Sequence, residues 1–114
     1  MNIFILDDCV KKSAQYLTDI HLNKMIIEHV QMLTNCFTLD SLKDFPKTQL
    51  GNVRKYSYYN HPCSVWVRQS FENFKYLRKY TIEMLKEREY RGFKEHFCKD
   101  FINFCCIPDN LEHT

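Results

Sequence analysis

The sequence has little glycine and proline and no long apolar run, and these shortages limit what the chain can be. Of its 114 residues, two are Gly and three are Pro, while 45% are hydrophobic and 15% aromatic. This composition excludes collagen-like and low-complexity chains and is typical of a helix-rich globular domain. No stretch reaches the roughly eighteen apolar residues of a membrane-spanning helix. We therefore expect no membrane association and one domain over residues 1–114.

A strong excess of charge of one sign is also missing. The chain has 16 Lys and Arg against 14 Asp and Glu, a formal net charge of +2. Proteins that bind duplex DNA usually carry a dense basic patch that neutralises several phosphates. The mild balance favours a small phosphate-bearing ligand held by a few cations, and it leaves DNA as an alternative partner.

The cysteines show none of the spacings typical of a metal site. No pair is spaced C-x-x-C, and the adjacent Cys105 and Cys106 cannot easily share one metal ion. No secretory signal precedes the apolar start of the chain, so we expect reduced, structural thiols in a reducing compartment. We predict no metal and no cofactor.

The apolar pattern predicts an all-α, compact single-domain bundle of about three main helices behind a short extended strap at residues 2–6. Pro62 suits the first turn of a helix, and Gly92 suits a helix end. The predicted segments are a helix from about Lys12 to about Phe37, a loop over residues 39–51, a helix from Pro62 to about Tyr90 and a helix over residues 93–104.

A polar stripe runs along the first predicted helix. At about 100° per residue its members fall within roughly 80° of one another, opposite an apolar stripe that should face the core. They are His21, Lys24, Glu28 and Gln31, and the apolar positions are Leu22, Ile26, Val30, Leu33 and Phe37. The polar stripe indicates the wall of a site. The alternative is an ordinary solvated face with helical Glu–Lys pairing.

A second polar group opens the next predicted helix. Its members are Asn60, His61, Pro62, Trp66 and Arg68, preceded by Tyr56, Tyr58 and Tyr59. Helix N-termini bind anions, a long Arg side chain can grip a phosphate, and tyrosines can stack on a base. The alternatives are a simple helix cap, a core Trp and a surface cation. We predict as ligand-binding residues His21, Lys24, Glu28, Gln31, Asn60, His61, Arg68 and Tyr59.

The order of these motifs resembles a widespread family of small, mostly uncharacterised bacteriophage proteins. The motifs are Ile5-Leu6-Asp7, Ala14-Gln15-Tyr16, Asp19-x-His21-x-x-Lys24-Met25-x-x-Glu28-x-x-Gln31-Met32-Leu33, Asn60-His61-Pro62-x-x-x-Trp66-x-Arg68, Asn73-x-x-x-Leu77 and Ile107-Pro108-Asp109. This resemblance implies a viral protein that works in the cytoplasm of an infected host cell.

More distantly, the chain is similar to the pyrimidine-dimer DNA glycosylases of the phage endonuclease V type. His21 and Glu28 match a His and a Glu seven residues apart in that group, and residues 76–79 and 91–93 match a later Tyr/Phe-Leu-Arg-Lys helix that ends in Arg-Gly-Phe. The resemblance implies attack on the sugar by the N-terminal amine of Met1 or Asn2, with Glu28 stabilising the cationic imine.

The chain also departs from the glycosylase pattern. Asn2 is bulky, so we expect Met1 to be retained and the amine displaced. The arginines that the group carries near its N-terminus and around its Glu have no counterparts here, because Ile27 precedes Glu28 and Gln31 follows it. On these grounds the sequence predicts a poor grip on a kinked duplex.

Two functional hypotheses follow from the sequence. The favoured one is a nucleotide-binding protein, without catalytic residues, that sequesters a small nucleotide signal of host antiviral defence and does not cleave it. The alternative is a pyrimidine-dimer DNA glycosylase and AP lyase, whose catalytic groups are Glu28, His21 and the N-terminal amine. An aromatic-rich chain this small also favours a homo-oligomer.

Overall fold

The described part of the chain is built from helices alone. The structure, a computed structural model, describes residues 3, 6 and 8–105, so most of the predicted strap and the Ile107-Pro108-Asp109 motif lie outside it. Its elements are α1 (Val10–Tyr16), α2 (Asp19–Thr34), α3 (Leu39–Leu42), α4 (Pro62–Arg68), α5 (Phe71–Tyr90) and α6 (Lys99–Phe104). The predicted all-α bundle is confirmed. None of the described helices is long and apolar enough to cross a membrane.

The first predicted helix is in fact two helices, so its expected extent was wrong. Thr18 is extended (ψ 162°), and its side-chain oxygen accepts a hydrogen bond from the backbone N–H of His21 at 3.2 Å. A threonine cap of this kind satisfies one of the free N–H groups of a new helix. The chain therefore turns at Leu17 and Thr18, and α2 ends at Thr34, before Phe37.

The second predicted helix is interrupted in the same way at Ser70. The Ser70 hydroxyl accepts from the backbone N–H of Asn73 at 3.1 Å, and the Asn73 side chain donates to the carbonyl oxygen of Trp66 at 2.7 Å. The Asn73 side chain thus ties the end of α4 to the start of α5. Gly92, with φ +88°, follows the end of α5, as the sequence predicted.

Two smaller expectations were also wrong. Residues 39–51 include the short helix α3, because the Thr38 side chain caps it by accepting from the N–H of Ser41. The last helix is only α6, since the His96 ring accepts from the N–H of Cys98 at 3.0 Å and holds that stretch in a turn.

The core lies between α2 and α5, which run antiparallel. Contacts join Asp19 to Arg91, Asn23 to Arg88, His29 to Thr81 and Phe37 to Phe74. Residue numbers fall along one helix as they rise along the other, which fixes the antiparallel direction. The predicted apolar stripe of α2 is fully buried here, and burying each of its leucines or isoleucines stabilises the fold by about 1.5–3 kcal/mol.

His29 lies inside this core as a neutral ring. Its Nδ1 is 3.1 Å from the hydroxyl of Thr81, and its ring packs edge-on against Tyr80 with centroids 5.2 Å apart. Burial disfavours the charged imidazolium and lowers the pKa of His29 to about 3. His29 therefore belongs to the packing of the core.

Candidate functional site

The polar stripe of α2 lies on the outer side of the helix, opposite the core. His21 and Lys24 are exposed, whereas Glu28 and Gln31 are half-buried. The burial of the stripe increases along the helix, and residues 48–57 lie beside Gln31 in its second half. Of the four residues, Glu28 and Gln31 are those that the fold partly encloses.

Asn35 extends the stripe and joins it to the second polar group. It lies seven residues after Glu28, which is about two turns along the same face. Its amide donates to the carbonyl oxygen of Ser57 at 2.7 Å and to the hydroxyl of Ser64 at 3.3 Å, and its oxygen accepts from the N–H of Ser57 at 3.1 Å. Asn35 was not among the predicted site residues, although its spacing of seven residues from Glu28 was the signal that could have found it.

Arg68 and Tyr59 lie together, and each already contacts the other. Arg68 Nη1 donates to the carbonyl oxygen of Tyr59, and the guanidinium carbon lies 3.7 Å from the centroid of the Tyr59 ring. The Tyr59 ring also stacks on Tyr56, with centroids 4.8 Å apart, and the Tyr56 hydroxyl donates to the carbonyl oxygen of Phe37 at 2.6 Å. The three side chains thus form one stacked cluster that is tied to the chain just beyond the end of α2.

His61 serves as the cap of α4. Its Nδ1 accepts a hydrogen bond from the backbone N–H of Cys63 at 3.1 Å, so one first-turn donor is already satisfied. Helix α4 has only seven residues, which gives it a weaker dipole than a long helix. The prediction that a helix starts at Pro62 is confirmed, and of the two candidate caps His61 is the one used, while Asn60 lies exposed beside it.

The eight predicted ligand-binding residues do not converge on one enclosed pocket. Arg68 lies near Cys36, just beyond the end of α2, and Tyr59, Asn60 and His61 lie at that same end. Lys24 is twelve residues before Cys36, about 18 Å along the helix axis. The two polar groups thus occupy different ends of one face, and Asn35 connects them.

A cavity of about 620 Å³ opens beside the polar stripe. Its floor comes from α2 through Ile27, Gln31 and Thr34, one wall is the segment 48–57, and Phe97 closes the far side. Of the predicted site residues, Gln31 is among those that line it. The cavity therefore lies directly beside the second half of α2.

Cationic and aromatic side chains concentrate around this half of α2. From Phe45 to Phe71, called here the acid-free segment, the chain has no Asp or Glu and carries Lys47, Arg54, Lys55 and Arg68. The guanidinium of Arg54 lies 5.0 Å above the ring of Phe101. A net charge of +2 for the whole chain hides this local excess, because the acidic residues lie elsewhere.

A comparison with protein families identifies the chain. A family model described as pyrimidine dimer DNA glycosylase matches residues 1–100. The chain belongs to this family. The match includes the polar stripe, the acid-free segment and α5, so the site described above lies wholly within the family region. No curated protein and no solved structure matches the chain.

The total charge and the family match point to different partners. The near-neutral total favoured a small ligand over DNA, whereas the family to which the chain belongs is described as one of DNA glycosylases. Attraction to phosphates depends on the local field of one face and not on the total charge, and the acid-free segment has a local excess of positive charge. The phage origin and the host-cell location stay predictions.

Two buried thiols and the candidate metal ligands of the described residues complete the picture of this region. Within residues 8–105 no group of three His, Cys, Asp or Glu side chains is placed to hold a metal ion. Cys36 and Cys98 are buried thiols, and burial raises their pKa to about 12 and about 11. A thiol with so high a pKa is a poor nucleophile at neutral pH, so these two cysteines act as packing groups.

Proposed function

We propose that the protein is a DNA glycosylase with lyase activity that acts on pyrimidine dimers, with Glu28 as its essential carboxylate. The observation that carries the proposal is the family match over residues 1–100, which includes His21 and Glu28 on one face of α2. The family match favours this hypothesis. It does not support the sequestration of a nucleotide.

The chemistry needs an amine and a carboxylate. The N-terminal amine, of Met1 or Asn2, attacks C1′ of the damaged nucleotide, and the glycosidic C–N bond breaks as the base leaves. Opening of the sugar ring gives a cationic imine, and loss of a C2′ proton then expels the 3′ phosphate. Glu28 stabilises the positive charge of the imine. A half-buried carboxylate does this better than an exposed one, because the local dielectric is lower.

The grip on DNA comes from the acid-free segment. Asn35 fixes Ser57 to the second half of α2, so this segment lies against the same half of the helix as Glu28. Exposed Lys47 and Lys55 are free to follow the phosphate backbone, as the missing family arginines would. His21, exposed two turns before Glu28, completes this face at its other end.

The test is nicking of supercoiled plasmid, irradiated with ultraviolet light or left untreated. The wild-type protein should nick irradiated plasmid only. Glu28→Gln keeps the shape and removes the charge, so its rate should fall by about a hundredfold or more. The matched control is Glu83→Gln, because Glu83 is also a half-buried glutamate but lies on α5. This control should nick like the wild type.

Equal nicking by Glu28→Gln and the wild type would refute the role of Glu28. If the wild type nicks no irradiated plasmid, and instead binds cyclic or ADP-ribose-type nucleotides tightly and returns them intact, the sequestration hypothesis is correct and the glycosylase proposal is wrong.

A further inference from the structure

Tyr58 has an unusual backbone conformation. Its φ is +53°, and no other non-glycine residue among those the structure describes has a positive φ. This left-handed region is uncommon for residues with a bulky side chain. The turn is closed by a hydrogen bond of 3.0 Å from the N–H of His61 to the carbonyl oxygen of Tyr58. The fold thus keeps a tyrosine where a glycine or asparagine would fit with less strain.

The residues on either side of Tyr58 are both held by side chains. Asn35 binds the N–H and the carbonyl group of Ser57, and Arg68 binds the carbonyl oxygen of Tyr59 while stacking on its ring. These contacts fix the backbone before and after Tyr58. Strained conformations persist where the surroundings over-determine them, and they cluster at functional sites.

The Tyr58 side chain itself projects from this fixed turn. It is 67% exposed, whereas Tyr56 and Tyr59 on either side are engaged in the stack with Arg68. An exposed ring in a strained backbone adds nothing to the core, so packing does not account for it. It does present a rigid aromatic face to whatever approaches the turn.

The chemistry around Tyr58 favours a nucleobase as its partner. The turn lies within the acid-free segment, so neighbouring residues along the chain carry no carboxylate that would repel a phosphate backbone. The turn is joined through Ser57 to Asn35, which lies seven residues, or about 10 Å along the helix axis, from Glu28. This span corresponds to about three base steps at 3.4 Å each, so a duplex that places its reacting sugar at Glu28 can extend to the turn that carries Tyr58.

We propose that Tyr58 stacks on a base at the damaged site and gives the protein its preference for distorted over undamaged duplex. The inference rests on the proposed function. A dimer weakens the local base stack, so an aromatic ring can enter it at less cost than in a regular duplex. Stacking needs the ring and not the hydroxyl, which distinguishes this role from hydrogen bonding.

The test measures binding in the Glu28→Gln background, so that DNA is not cleaved during titration. Fluorescence anisotropy compares a labelled duplex that contains one pyrimidine dimer with the same duplex undamaged. Tyr58→Ala should weaken binding of the dimer duplex by about 10-fold to 100-fold and bring its affinity close to that of the undamaged duplex. Tyr58→Phe should bind like its parent.

Two controls separate stacking from damage to the fold. Tyr90→Ala removes a ring that is more exposed than Tyr58, 86% at the end of α5, and should leave both affinities unchanged. Tyr58→Gly should bind as weakly as Tyr58→Ala and yet melt at a higher temperature than its parent, because glycine adopts positive φ without strain.

The outcomes distinguish the two proposals. If the parent prefers the dimer duplex and Tyr58→Ala keeps that preference, stacking by Tyr58 is wrong and the proposed function stands. If Tyr58→Ala loses affinity equally for both duplexes, Tyr58 is a general DNA contact and the inference about damage is wrong. If the parent shows no preference and the wild-type protein cleaves no dimer, both proposals fail.

Discussion

The core seam between α2 and α5 and the turn region of residues 45–61 are held together in different ways. In the seam, apolar side chains are buried along the whole length of α2, and His29 is kept neutral among them. Residues 45–61 have no helix, and they are held by hydrogen bonds in which the Asn35 and Tyr56 side chains donate to backbone carbonyl groups and the Thr48 hydroxyl accepts from the N–H of Asn52. The seam fixes the position of Glu28, while the turn region brings charge and aromatic rings to the end of α2.

This difference has a consequence for mutations. Changes in the seam should affect stability first and function only through unfolding. Changes in the turn region should affect DNA binding while most of the fold survives, since loops carry function on a rigid scaffold. The following variants test whether the two regions separate in this way.

The largest effect is expected in the seam, at Phe74. Its ring is 1% exposed and packs edge-on against Phe37, with centroids 5.7 Å apart. Phe74→Ala leaves a cavity and should lower the free energy of unfolding by about 3–5 kcal/mol, measured by urea denaturation. Phe104→Ala is the control, because Phe104 is 48% exposed and should cost clearly less. Similar losses for both variants would mean that the core is not where we place it.

The next effect is expected where the turn region meets α2, at Asn35. Asn35→Ala removes three hydrogen bonds and leaves backbone groups of Ser57 without their partner. We expect a loss of about 2 kcal/mol in unfolding free energy, with an unchanged helical circular dichroism spectrum and weaker DNA binding. Asn103→Ala, at an exposed position on α6, should change neither quantity. Full DNA affinity in Asn35→Ala would show that the hydrogen bonds from Asn35 to Ser57 do not shape the site.

The smallest effect is the pH dependence of the seam. Unfolded His29 takes up a proton near its ordinary pKa of 6.5, but folded His29 does so only near pH 3. Between these values the unfolded state binds more protons, so stability falls as the pH falls. At pH 5.5 the contribution is on the order of 1 kcal/mol. Urea denaturation from pH 7 to pH 5.5 should therefore give a shallower dependence for His29→Gln than for the wild type, and parallel curves would contradict the burial of a neutral ring.

The sequence predicted the seam well and the turn region poorly, for physical reasons. The apolar stripe of α2 repeats at helical spacing over four turns, and such a pattern indicates an amphipathic helix that buries this stripe in the core. The breaks at Thr18 and Ser70 were missed because a capping hydroxyl is worth only about 1 kcal/mol, and a Thr or Ser also occurs inside helices. Helical periodicity alone does not distinguish the two positions.

The contacts that build the site are long-range, and no periodicity encodes them. The sequence placed Arg68 and Tyr59 in one polar group, but it could not show that they bind each other through stacking and a backbone hydrogen bond. It also placed Asn35 outside both groups, because its partners Ser57 and Ser64 are far along the chain. The local charge excess is visible in the sequence, but the total charge of +2 does not reveal it.

The most direct test of the account is chemical trapping of the imine. The wild-type protein is incubated with a dimer-containing duplex and sodium borohydride, which reduces an imine to a stable covalent link, and the products are separated by denaturing electrophoresis. We predict a covalent protein–DNA adduct with the wild type and Glu83→Gln, and little or none with Glu28→Gln or with undamaged duplex. Absence of an adduct with the wild type, or an equal amount with Glu28→Gln, would contradict the central claim that this chain cleaves dimers through an imine stabilised by Glu28.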